Sequence, residues 1–416
     1  MEMKKYFSNK IPVAFIFLVL SGLFSGILFQ SCENDDDDAT DPDAVPVVRY
    51  IRLTDAEKSD SLVTHAFMGN TVAIIGENLG AVVEIWFNDQ PAILNTSFIT
   101  NASIIVTIPN EIPEVVTNEI KLITRGEAEA FHPFAVDVPA PMVSSMLCEY
   151  VDDGNDAVIR GNFFLDDPNN PLQVFFPGNL EAEVKSVSIN EIVVTVPEGA
   201  GVGPVTVKSL YGSTRSSFYF RDDRNFILDF DDLTAAGGWR SGKTGNSNPE
   251  PIDGNYVRFR GDMPADASSN WDEDSFSFNL WNQANGRSSE PFYSGDLNTA
   301  VLKFECYVVE PWKSAALQMI FTPYSTTGTN SYIADANVPR GLWIPWSETG
   351  SYQTQGWTTV SVPLSSFKYT HDGQTSANSL TNEMLGGLTF FVYHGGLTGE
   401  DCTIHICIDN IRIVPE

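Results

Sequence analysis

The chain has 416 residues, 43% of them hydrophobic, and a formal net charge of −30. That length allows several domains with sizeable cores, and the charge argues against nucleic acid as a partner, because phosphates would be repelled. With five Cys and five His, no CxxC pair and no zinc spacing, neither a disulfide framework nor a zinc site is expected. Cys148, Cys306, Cys402 and Cys407 should be free and mostly buried thiols.

The chain opens with Lys4, Lys5 and Lys10 before an apolar run over residues 11–29. A basic start and an apolar stretch make a secretory signal or, since the run is long, an anchor helix. The run ends Leu28-Phe29-Gln30-Ser31-Cys32, which resembles a bacterial lipoprotein cleavage box. That resemblance implies removal of residues 1–31, lipidation at Cys32 and attachment to the outer membrane at the cell surface. Residues 32–46, with the acidic run at 35–38, read as a disordered tether. The acidic run also resembles the surface-export signal of lipoproteins in the Bacteroidetes.

A repeat follows. Gly69-Asn70-Thr71-Val72-Ala73-Ile74-Ile75-Gly76 lines up with Gly154-Asn155-Asp156-Ala157-Val158-Ile159-Arg160-Gly161, and residues 103–109 (SIIVTIP) with 191–197 (EIVVTVP). Short alternating strands bounded by turn residues indicate antiparallel sandwiches. The glycines suit turns that need a positive φ. The pattern resembles the immunoglobulin-like IPT/TIG family over residues 47–138 and 139–221, which implies two spacer domains. Trp86 falls mid-strand and is expected in the core.

Residues 222–416 carry seven of the eight tryptophans. Strand patterns at 256–260, 275–280, 300–308, 316–321, 358–363 and 387–393, without a long helical period, fit one jelly-roll type β-sandwich. The expected fold class is therefore all-β: two immunoglobulin-like sandwiches, then this domain. Several aromatic side chains fall on loops or strand ends. Trp343 and Trp346 flank Pro345, and Trp312 follows Glu310-Pro311. Trp281 precedes the polar turn at 282–286, and Tyr352 lies beyond Gly350. Trp357 begins a strand and serves equally as scaffold or as contact. Large, rigid, partly polar rings suit the flat C–H faces of sugars, and amides, carboxylates and Arg suit the hydroxyl rim. One ring face covers roughly 100 Å², or about 2 kcal/mol. Asp409 near Asp229, Asp231 or Asp232 could offer calcium a carboxylate set, but solvated turn acids explain the same residues, and no metal site is assigned.

The stretches LDFDD, LKFECYVVEPWKSAALQMIFTPY, GLWIPW and IDNIRI resemble the C-terminal domain of the surface glycan-binding proteins of the Bacteroidetes. That resemblance implies a lipid-anchored, non-catalytic protein. Its ligand would be a β-glucan of xyloglucan or mixed-linkage type, passed to a starch-utilisation-like transporter. Carried onto this chain, the platform is Trp312 and Trp346, with Trp343 nearby. A surface adhesin or protein-interaction module is the main alternative. A glycoside hydrolase would need a paired set of carboxylates, and no spacing singles one out; GxSxG and HExxH are also missing.

Overall fold

The computed structural model describes residues 41–55, 57, 62–113, 115–167, 170–231, 244–269, 277–281, 290–326, 335 and 337–416. The leader, Cys32, Trp239, Trp271 and Asp232 lie outside them. The architecture is all-β, and the chain divides into two compact units, residues 1–139 and 140–416.

The first unit is an immunoglobulin-like sandwich. One sheet pairs Val47–Leu53, Thr71–Glu77 and Ser103–Thr107; the other runs from Gln90–Pro91 through Val82–Phe87 and Glu119–Thr124 to Glu129–Pro133. Alternation sends Val72, Ile74, Ile85, Phe87, Ile120 and Leu122 inward. Trp86 points the other way. Strand period two places it opposite Ile85 and Phe87, where it is half-buried with its indole N–H on Glu84. The expectation of a core tryptophan is corrected by parity. Part of the expected tether is also docked: the Gly126 N–H donates to the Pro42 carbonyl, and Pro46 is buried.

The second unit holds two sandwiches. The first repeats the immunoglobulin-like plan, with Met142–Met146, Asp156–Asn162, Glu191–Thr195 and Glu183–Val187 in one sheet. The repeated glycines do two different jobs. Gly69 and Gly154 take positive φ at turns. Gly76 and Gly161 instead lie under a neighbouring strand: an added Cβ would stand 1.9 Å from the Val47 carbonyl oxygen and 1.8 Å from that of Met142. Each contact sits beside a register shift in the same strand pair.

The C-terminal sandwich sets the sheet Thr244–Gly245, Tyr256–Met263, Cys402–Pro415, Ala300–Val308, Thr358–Pro363 against Ser277–Trp281, Gly387–Tyr393, Ala316–Thr322, Arg340–Trp343. The long closing strand sends Ile404, Ile406 and Ile408 into the core, then Ile411 and Ile413. Its parity changes at a bulge, where Asn410 adopts φ 49° and the pairing passes from Glu305↔Asp409 to Lys303↔Arg412.

The outer face of this strand does not meet water. It meets the preceding sandwich through a buried set of charges. Glu149 accepts from Lys303 and Arg412, both at 2.7 Å, and Arg412 grips Glu305 at 2.8 and 3.1 Å. All four side chains are 3% exposed or less. The Thr359 N–H donates to the Leu147 carbonyl, and the Glu149 N–H to the Thr359 hydroxyl. Two carboxylates balance two cations, so none is buried uncompensated. Among the described residues the four cysteines are free, Cys402 half-buried and the others buried.

Candidate functional site

Gly341 begins the local chain of causes. Its missing side chain lets Phe367 and Met319 pack onto the strand, since a Cβ would come within 2.9 Å of the Phe367 ring. The strand then ends at Trp343, paired with Leu317. The following loop returns so that Tyr352 and Trp312 exchange two backbone hydrogen bonds, each 2.9 Å. This return stacks the aromatic side chains edge to face. Trp343 lies 5.5 Å from Trp312, 5.7 Å from Tyr352 and 5.9 Å from Phe304.

Burial then separates the expected platform residues. Trp312 has no exposed surface, and its indole N–H donates to the Ser314 carbonyl. Trp346 is 5% exposed and donates to the Ala315 carbonyl at 2.7 Å. Neither ring offers a free face for stacking, so the platform carried over on Trp312 and Trp346 is here a buried support. Trp343 and Tyr352 remain half-exposed. Trp357 is held as scaffold: it packs edge-on against Tyr256 and Tyr307 and donates to the Glu250 carbonyl. The backbone of Trp281 pairs with Gly387, away from this group, and its side chain lies outside the described residues.

Trp343 and Tyr352 line a cleft of about 420 Å³. Its rim is polar, with Ser144, Ser145 and Arg160 on one side and residues 358–361 on the other; Lys303 and Glu149 lie at its floor. A larger hollow of about 680 Å³ on the preceding sandwich has no aromatic side chain in its lining. The Tyr352 hydroxyl is pushed above its ordinary pKa by burial and by Cys306, against the opposing pull of a Thr358 hydrogen bond and the Arg160 charge. It therefore stays protonated at neutral pH and can donate.

Sequence reasoning missed Glu149, Arg160 and Lys303. A signal for one existed: Lys303 and Glu305 alternate inside an otherwise apolar strand, a pattern that requires partners. It also missed a polar lattice on the far side of the domain. There the Gln318 amide accepts from Arg340 and donates to the backbone carbonyls of His371 and Tyr393.

The calcium alternative can be tested against the acids named for it. Asp409 is fully buried; one oxygen accepts from the Asn410 N–H at 2.8 Å and, among the described residues, the other has no partner. Burial pushes its pKa up to about 9. Asp231 instead holds Asn255, and Asp229 caps the Asp231 N–H. Among the described residues no group of three or more His, Cys, Asp or Glu is arranged to hold a metal ion.

Residues 220–415 match the family model of the surface glycan-binding protein B xyloglucan binding domain. A surface glycan-binding protein of Prevotella bryantii has a similar solved structure, with a TM-score of 0.65 and 29% identity over 89% of this chain and 99% of that one. An IPT/TIG domain-containing protein of Bacteroides ovatus is 37% identical over 142 residues, 32% of this chain. The chain spans 28% of the length of that curated relative.

Proposed function

We propose that this chain, whose residues 220–415 belong to the surface glycan-binding protein B xyloglucan-binding-domain family, holds a polysaccharide at the cell surface without cleaving it. The ligand class is a β-glucan of xyloglucan or mixed-linkage type. The observation that carries this reading is the cleft at the edge of the matched domain, where the half-exposed Trp343 and Tyr352 stand beside a polar rim. Each ring takes the C–H face of a sugar, and the rim takes its hydroxyls. The Tyr352 hydroxyl adds a donor. Both carboxylates of the cleft, Glu149 and Glu416, are ion-paired with Lys303, which suits them to structure rather than acid–base chemistry.

The function is capture. Lipidation at Cys32 would fix the chain to the outer membrane, the first immunoglobulin-like sandwich would serve as spacer, and weak stacking would let polymer pass to a neighbouring transporter. Affinity electrophoresis of the full chain in gels with xyloglucan, barley β-glucan, laminarin or mannan tests this. The expected result is retardation by xyloglucan or barley β-glucan, weakened about tenfold or more in Trp343→Ala. Equal migration in all gels, or release of reducing sugar, overturns the reading.

A further inference from the structure

The cleft has two walls, and only one belongs to the C-terminal sandwich. The other is the face of the preceding immunoglobulin-like sandwich. There Ser145 of Met142–Met146 and Arg160 of Asp156–Asn162 are direct cross-strand partners, and Glu191 stands opposite Arg160 on the next strand. Directly opposite residues in an antiparallel sheet project to the same face, so the three form a polar row across the sheet. Ser145 is exposed and Arg160 is 52% exposed. The Arg160 guanidinium is tied to Glu191 by a long hydrogen bond of 3.4 Å. Arg160 lines the same cleft as Trp343 and Tyr352.

The gap is also fixed in width. The buried charge set of Glu149, Lys303, Glu305 and Arg412 crosses the same seam, as do the backbone contacts of Leu147 and Glu149 with Thr359. A cleft held open in this way is preorganised on both sides, and neither wall must be ordered when ligand enters.

We propose that the second immunoglobulin-like sandwich is part of the glycan site: Ser145 and Arg160 hydrogen-bond the hydroxyl rim of a sugar whose flat face rests on Trp343, with Tyr352 standing edge-on beside it. This rests on the reading of the cleft as the glycan site. A guanidinium carries five donors in a planar fork and a serine hydroxyl both donates and accepts, which matches adjacent equatorial hydroxyls of a neutral glucan. The sandwich then selects among glucans by how much substituent fits between the walls.

The test uses the full chain in gels with xyloglucan and with barley β-glucan. Three variants are compared: Trp343→Ala on one wall, Arg160→Ala on the other, and Ser145→Trp, which fills the gap. Arg160→Ala removes an exposed side chain and should leave the thermal midpoint unchanged, so it remains informative if Ser145→Trp disturbs folding. The expected result is about tenfold weaker retardation in Arg160→Ala and loss of retardation in Ser145→Trp. Wild-type retardation in both, with loss in Trp343→Ala, overturns the proposal and leaves the cleft as a one-walled site. Wild-type retardation in Trp343→Ala as well overturns the cleft reading itself.

Discussion

The two immunoglobulin-like sandwiches share a plan and differ at a position that, in the second, meets the C-terminal domain. Ile51 pairs with Ile74 in the first, and Met146 with Ile159 in the second. Three residues further on, the first has Thr54, exposed, and the second has Glu149, 2% exposed and bonded to Lys303 and Arg412. The first sandwich is a unit by itself; the second shares a unit with the C-terminal domain. A repeat can thus yield an independent domain or half of a composite one. In the second sandwich a side chain just past a strand end meets charges on a strand more than 150 residues away, beside the backbone contacts with Thr359.

Separate compact units should unfold in separable transitions, which gives the comparison its measurements. The largest effect is expected for Glu149→Ala, which leaves Lys303 and Arg412 short of a buried partner. It should destabilise the second unit by about 3–5 kcal/mol in denaturant unfolding of the full chain, with the first transition unmoved. If both transitions move together, the units are more tightly coupled than the comparison holds. Trp312→Ala, a buried ring, should cost about 3–5 kcal/mol in the same second transition. A loss of glycan retardation without loss of stability would instead return Trp312 to the binding surface. Gly76→Ala and Gly161→Ala apply the same steric insult to the two sandwiches. Each should cost about 1–3 kcal/mol, the first in one transition and the second in the other.

A pH-dependent effect is expected at Asp409. Its pKa is raised by burial to about 9 in the folded chain from an ordinary 3.8. The folded state therefore binds this proton more tightly than the unfolded state. Its contribution to stability is full below about pH 4 and is lost as pH climbs toward 9. Asp409→Asn should flatten that decline and raise the thermal midpoint more at pH 8 than at pH 5, as read by calorimetry at the two values. The smallest effect belongs to Thr54→Ala, the counterpart of Glu149→Ala, which should stay within about 0.5 kcal/mol.

Much of the fold was legible in the chain because period-two alternation writes strands directly. Ala300–Val308, Thr358–Pro363 and Gly387–Tyr393 fall where the pattern places them. The all-β class follows from that pattern and from the repeated glycines. The site was only half legible. Pro311 and Pro345 correctly mark breaks beside Trp312 and Trp346, but a break in a strand does not say which way a ring turns. That depends on the loop from Trp343 to Tyr352 folding back over Trp312, a contact made across about forty residues. Arg160 and Glu149 were invisible for the same reason: nothing local tells a solvent-facing charge from one that meets another sandwich. Lys303 and Glu305 were the exception, since two charges alternating within LKFECYVV have no solvent to face.

The bulge at Asn410 has a consequence for how this chain can change. Glu305 faces Asp409 and Lys303 faces Arg412, so three residues of the closing strand span the same length as two of its neighbour. Removing Asn410 would leave both flanking pairings as they are, with the isoleucines still inward and Arg412 still opposite Lys303. Buried central strands ordinarily forbid insertions and deletions, because a one-residue slip turns every side chain over. Here the slack is confined to one place, so the longest of the described strands contains a joint at which its length and its register are independent.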